Sequence, residues 1–424
     1  MSILSKKILS NSLWMMLEKV ISMFGLIFVM SYVAKYIGPT NFGKIALATT
    51  IFTFVQTLTW FGNQEILFKR VSKNPSSGLK FLNSTQNLRK LLFSLFSLPV
   101  LAWLFIYTDQ LTFIFGIATA LATFILIQDI FVIYNNAVLK SYINTLVNIA
   151  GLAIAFAVRY LIVLFELPAE YLAIPIVLVT LIPYVAKRYY FNLADHAPRI
   201  RSFTYAKYYL YAGSALVLST LSIALYVQIT NLMLVNLTST YELGLYSVAS
   251  SLGMAWGFVN QSIITSVMTK IYKEKNDNVA YGMFAKLNLL IIAISSGAII
   301  GFVLLGHWII ALLYGNAYLP AVPLLIVMAC AGMFSGLGTA AARLIIREEG
   351  YSYISKKMLC MAICSVPIAY ICIQYFGLIG AAYSIAVIEL LSATLFNYFY
   401  KNGIIFKVHF WFLYRTKLKN SLEN

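Results

Sequence analysis

Hydrophobic residues run along this chain in long blocks, with the polar residues gathered between them. Apolar windows fall at 12–36, 43–67, 90–108, 110–135, 142–165, 169–190, 208–236, 243–269, 284–306, 319–342, 358–376 and 378–400. Each is close to the roughly 20 residues a helix needs to cross a hydrocarbon core. The pattern therefore predicts twelve transmembrane helices. A closed β-barrel is the other way to cross a bilayer, but the alternating ten-residue segments it requires are missing. The first block follows Lys6 and Lys7 and runs through Glu18 and Lys19 to Tyr36 with no small-residue cleavage pattern. It reads as an uncleaved first span.

Composition strengthens this picture. Of 424 residues, 61% are hydrophobic and 11% charged, against about 25% charged in a soluble domain. The net charge of +17 could suggest a nucleic-acid partner, but its distribution argues for a membrane. The N-terminus, the loops 69–90, 136–141, 187–207, 270–286 and 343–357, and the tail after 400 hold 27 of the 31 basic residues. Lys and Arg are retained in cytoplasmic loops, so both termini are expected in the cytoplasm, and no nucleic acid is expected as a partner. An even number of spans agrees. The opposite loops are short, the longest near 306–318, and none could fold as a domain.

An internal echo suggests two halves. Tyr36-Ile-Gly38-Pro39-Thr-Asn-Phe42-Gly43 follows the first span, and Leu237-Thr-Ser-Thr-Tyr241-Glu242-Leu243-Gly244 follows the seventh. The expected fold is an all-α integral membrane protein with two six-helix lobes, 1–200 and 201–424, around a central lumen. Substrate sites between repeats are a common transporter plan.

Enzyme motifs are absent: no GxxxxGK[ST], HExxH or GxSxG occurs, and each marks a defined chemistry. Cys330, Cys360, Cys364 and Cys372 sit in apolar runs without CxxC spacing and read as small packed hydrophobes. His196, His307 and His409 are scattered. No metal, cofactor or catalytic residue is expected.

Ionisable residues at membrane depth carry the functional information. A charge at the centre of a span costs about 2.5–3.5 kcal/mol on insertion scales, so it normally faces a partner or a cavity. Glu18 and Lys19 lie in the first span, Asp129 in the fourth, Arg159 in the fifth and Glu389 in the twelfth. Lys19 either lines a lumen or snorkels to the interface. Arg159 either faces substrate or pairs outward with Glu166, seven residues on. Glu389 has no Lys or Arg between 358 and 400, so it needs protonation, a partner from another helix or water. Gln228 and Asn231 in span seven, and Asn260 and Gln261 in span eight, either bond between helices or form a hydrophilic wall for sugar hydroxyls. Ser250, Gly253, Gly257 and Asn260 share one face of span eight.

The segment Tyr32-Val-Ala34-Lys-Tyr-Ile-Gly38-Pro39-Thr-Asn-Phe42-Gly43 resembles the A-x-x-L-G-P-x-x-F-G turn of polysaccharide (O-antigen) flippases, with Ile37 at the usual Leu. Those flippases belong to the multidrug/oligosaccharidyl-lipid/polysaccharide exporter superfamily. Val71-Ser-Lys-Asn-Pro75, Leu313-Tyr314-Gly315-Asn-Ala-Tyr318-Leu-Pro320 and Gly377-Leu-Ile-Gly380-Ala-Ala are similar too. The resemblance implies a flippase for undecaprenyl-pyrophosphate-linked oligosaccharide in a bacterial inner membrane, working beside lipid and a polysaccharide polymerase machinery. Lys19 and Arg159 would then meet the pyrophosphate, and Glu18, Asp129 or Glu389 a coupling ion, H+ or Na+. A drug exporter of the same superfamily and a membrane glycan polymerase or ligase are the alternatives. The short outer loops speak against the enzyme.

Overall fold

The computed structural model describes residues 6–194 and 203–411, and every regular element among them is helical. In chain order the helices are α1 (Lys6–Trp60), α2 (Asn63–Lys73), α3 (Pro75–Ser84), α4 (Gln86–Tyr107), α5 (Gln110–Gln128) and α6 (Phe131–Ala137). There follow α7 (Ser141–Leu164), α8 (Ala173–Ala194), α9 (Phe203–Leu237), α10 (Thr240–Ala255) and α11 (Gly257–Lys273). The last are α12 (Asp277–Leu313), α13 (Val322–Arg347), α14 (Tyr351–Ala393), α15 (Leu395–Tyr398) and α16 (Ile404–His409).

Local sequence explains the punctuation. Gly38 adopts φ 76°, ψ 169°, a region essentially closed to side-chain-bearing residues. Pro39 follows, which has no N–H to donate, so α1 folds into two spans there. Gly377 (φ 57°, ψ −135°) divides α14 in the same way. Asn74 caps α3 by accepting from Ser77 N at 3.0 Å, with Pro75 in the first turn. Ser239 caps α10 through Glu242 N at 3.3 Å, with Glu242 at the capping-box spacing.

Nine helical stretches among the described residues are long and apolar enough to cross a membrane. Two of them, Met16–Trp60 and Tyr351–Tyr398, are the stretches folded at Gly38 and Gly377, and α10 with α11 supplies the remaining span. Twelve spans result, as the hydrophobic blocks predict. The second ends at Trp60 instead of running to 67, because Phe61 and Gly62 both take positive φ and α2 starts as a separate helix. The chain is a multi-pass membrane protein. Its outward faces are apolar, as lipid demands: α4 presents Leu91, Leu95 and Leu98, and α12 presents Val303, Leu304 and Leu312.

Contacts gather the helices into two units, one running to Leu225 and the other starting at Tyr226, inside α9. In the first unit, Phe52 and Trp60 of α1 pack with Leu67, Phe81, Leu104 and Tyr209. In the second, Ile264, Met268 and Ile271 of α11 pack with Phe284, Leu287 and Ile291 of α12 and Leu344 of α13.

Two expectations from the charge count change here. Arg89 and Lys187, both counted as loop cations, are buried, with 0% and 2% exposed. Arg89 donates to Leu82 O (3.2 Å) and Thr85 Oγ1 (2.8 Å), and its guanidinium lies 5.6 Å from the Trp60 ring centre. The cysteines are free of disulfides, but Cys360 is exposed on α14 rather than packed inside.

Candidate functional site

In the first unit, a chain of polar contacts joins four spans. Asp129 ends α5, where its ψ of 71° breaks the helix, and its carboxylate meets Lys187 Nζ of α8 at 2.5 Å. Lys187 also donates to Asn148 Oδ1 of α7 at 3.4 Å. Asn148 Nδ2 in turn donates to Glu18 Oε1 of α1 at 2.6 Å. Thr145 adds a hydrogen bond to Glu18 Oε2 at 3.3 Å. Two carboxylates thus share one lysine through an asparagine. Among the described residues Asp129 Oδ1 has no hydrogen-bond partner, so the lysine and the bent backbone carry most of its compensation.

Arg159 of α7 is 9% exposed, and its guanidinium sits 5.7 Å from the Phe156 ring centre. Among the described residues it forms no ion pair, and Glu166 is exposed. The outward Arg159–Glu166 pair is therefore not formed. The side chain of Lys19 lies outside the described residues.

In the second unit, α11 is amphipathic in a way that lipid does not favour. Its inner face (Ile264, Met268, Ile271) is buried at 0–1% exposure, while Gln261, Ser262, Thr265, Ser266 and Thr269 are exposed. Asn260 Nδ2 donates to Ser295 Oγ of α12 at 3.2 Å, which sets the two helices at one level. There α12 exposes Leu289, Leu290 and Ile292. The exposed polar stretch of α11 thus differs in character from the exposed aliphatic stretch of α12. Arg343 of α13 donates to Thr265 Oγ1 (3.0 Å) and Gln261 Oε1 (3.4 Å).

Between α11 and α13 lies a cavity of about 190 Å³, lined by Gly257, Asn260, Gln261, Ser335, Gly336 and Thr339 among others. Behind Ser335 is Glu389, 6% exposed. Its Oε1 accepts from Tyr226 OH at 2.6 Å, and Ser335 contributes a second hydrogen bond. Lys357, one position outside the cation-free stretch, is also buried. It donates to Ser392 O and Asn397 Oδ1, each at 2.9 Å, and not to Glu389.

The remaining predicted residues divide. Gln228 accepts from Asn231 Nδ2 at 2.9 Å along α9. Asn260 and Gln261 come together on the cavity. Ser250, Gly253, Gly257 and Asn260 lie on both sides of the interruption at Trp256 between α10 and α11, and Gly253 and Asn260 both face α13, where Asn260 meets Gly336. Gly253 packs against Met328 and Leu325, and Gln261, beside that face, is exposed. The polar residues the sequence reading passed over are Arg343, Ser335, Thr339 and the hydroxyls of α11. The i, i+4 spacing of Gln261, Thr265 and Thr269, with Ser262 and Ser266 beside it, could have flagged them.

Comparisons with known proteins fit this architecture. The family of polysaccharide biosynthesis proteins matches residues 32–323. A capsular polysaccharide biosynthesis protein, CapF, of Staphylococcus aureus is 25% identical over 176 residues, which is 41% of this chain and 44% of that protein. Thus the match spans under half of that relative's length. Among solved structures, the lipid II flippase MurJ in an inward closed conformation superposes with a TM-score of 0.72 at 14% identity, covering 95% of this chain and 90% of that one. A multidrug resistance MATE family transporter of the MOP superfamily, inward-facing, gives 0.62 at 14% identity, covering 94% and 95%. These likenesses establish a shared fold.

Proposed function

The chain belongs to the family of polysaccharide biosynthesis proteins, and from that premise we propose that it is a flippase, not an enzyme. Its cargo in this reading is undecaprenyl-pyrophosphate-linked oligosaccharide, carried from the cytoplasmic to the periplasmic leaflet by alternating access. The observation that carries this reading is the exposed polar face of α11, Gln261 to Thr269, set at the level where α12 shows lipid its leucines. A sugar head is too polar for hydrocarbon and needs such a wall, while the prenyl tail can stay in lipid. Uncharged hydroxyls and amides suit sugars. Arg159, buried and without an ion pair among the described residues, suits a phosphate oxygen.

Coupling to H+ or Na+ falls in this reading to Glu389 and Glu18, which are held by neutral groups: Tyr226 and Ser335 for one, Asn148 and Thr145 for the other. Asp129 is already engaged by Lys187 and serves structure. The test is complementation of a flippase-null strain, scoring surface polysaccharide against membrane protein level. Wild type restores polysaccharide, and Glu389→Gln at normal level does not. Export of a soluble cationic dye without restored polysaccharide would favour a drug exporter, and joining of glycan units by the purified protein would favour a polymerase.

The reading also sets orientation, with both termini and the α2–α3 segment in the cytoplasm of a bacterial inner membrane, following the basic loops. In a cysteine-free background, Ser76→Cys is expected to resist an impermeant thiol reagent in intact cells and to react after permeabilisation. Labelling in intact cells would invert the topology.

A further inference from the structure

Two neighbouring arginines on α13 have opposite fates. Arg347 is saturated: it meets Asp277 at 2.8 Å and Glu348 at 2.7 Å, and donates to the carbonyls of Ile271 and Glu274. It ties helix ends together. Arg343, one turn earlier, touches only the neutral acceptors Thr265 and Gln261, and among the described residues no carboxylate pairs with it. Its planar fork is oriented while its charge is uncompensated and most of its five N–H donors remain available. Lys270 and Lys273 continue the exposed side of α11 beyond it.

Gln261 links this arginine to the cavity, because it both accepts from Arg343 and lines the space. None of the cavity's lining side chains is ionisable. Among the described residues Asn260 Oδ1 has no hydrogen-bond partner, in a residue 1% exposed, so it is a desolvated acceptor open to a donor. At about 190 Å³ the space is smaller than the roughly 300 Å³ at which pockets for drug-sized ligands begin. It suits a single ring with hydroxyls, not an oligosaccharide. Thr339, on the cavity, stands one helical turn before Arg343, so a charged group at Arg343 and a ring at Asn260 are covalent neighbours in scale, about 6 Å apart along the helix.

We propose that the second unit holds a two-part subsite for a phosphorylated sugar, in which Arg343 grips a phosphate oxygen and the cavity beside Asn260 takes the first sugar ring. This rests on the flippase reading and adds the order of the parts: the ring enters deeper than the phosphate.

The experiment measures binding to the full-length protein in lipid nanodiscs, using undecaprenyl pyrophosphate and the same lipid carrying one N-acetylhexosamine. Wild type should prefer the sugar-bearing lipid by at least fivefold. Arg343→Ala should weaken both ligands at least tenfold, with Arg343→Lys in between. Thr339→Leu, which fills the cavity, should weaken the sugar-bearing lipid at least fivefold more than the bare one. Unchanged binding by Arg343→Ala, no wild-type preference, or equal effects of Thr339→Leu on both lipids would each overturn the subsite. If wild type restores polysaccharide in the null strain while any of these occurs, the subsite alone falls. If wild type fails to complement, the flippase reading falls with it.

Discussion

Replacing Lys187 with alanine is expected to cost about 3–5 kcal/mol, the penalty for leaving one member of a buried ion pair without the other. Asp129 would keep its position at the break after α5, 6% exposed, with Oδ1 already unpartnered and its 2.5 Å contact gone. Asn148 and, through it, Glu18 would lose their anchor as well. Thermal unfolding followed by fluorescence-detected size exclusion in detergent should show a strongly lowered midpoint and reduced membrane yield. Adding Asp129→Asn to Lys187→Met should recover much of the loss, since the penalty lies in the unpaired charge. A single Lys187→Ala variant as stable as wild type would mean that Asp129 is solvated, and the buried relay would have to be abandoned.

The second large effect concerns export rather than folding. Ser262→Leu combined with Ser266→Leu converts part of the exposed face of α11 to the aliphatic surface that α12 shows beside it. Both hydroxyls bond only to helix carbonyls, Phe258 O at 3.0 Å and Ser262 O at 2.9 Å, so losing them leaves no buried polar group unsatisfied. If that face is a wet wall, polysaccharide export should fall at least tenfold with the protein present at its normal level. If the face meets lipid, each added aliphatic side chain is stabilising by roughly 1 kcal/mol or more, and export would be unaffected with a raised unfolding midpoint. The two readings predict opposite signs in two assays.

The spans were legible because membrane helices are written locally, as blocks of about twenty apolar residues punctuated by turns such as Gly38-Pro39 and caps such as Ser239. The site was legible only where its residues are polar against an apolar background, as with Glu18, Asn260, Gln261 and Glu389. What stayed hidden was pairing over long separations. Glu18 meets partners 127 and 130 positions away, and Tyr226 reaches Glu389 across 163. The break at Trp256 was hidden for a different reason. Trp256 keeps right-handed helical angles, φ −65° and ψ −13°, so no turn residue marks the interruption and the apolar block runs through it. Arg343 was hidden by its position near the end of α13, where it looks like any other loop cation until Thr265 and Gln261 are seen to hold it.

If this chain carries a sugar-bearing lipid across a bilayer, reconstitution should show the movement itself. Purified protein in liposomes containing undecaprenyl pyrophosphate linked to a fluorescent sugar, placed in the outer leaflet, should move the label to a compartment protected from an impermeant quencher. The rate should exceed that of protein-free vesicles at least tenfold and respond to an imposed H+ or Na+ gradient. The Ser262→Leu/Ser266→Leu protein, at equal reconstitution, should lose most of that rate. Protection no faster than in protein-free vesicles, from protein that is folded and restores polysaccharide in cells, would contradict direct translocation and assign the chain an accessory place in polysaccharide assembly.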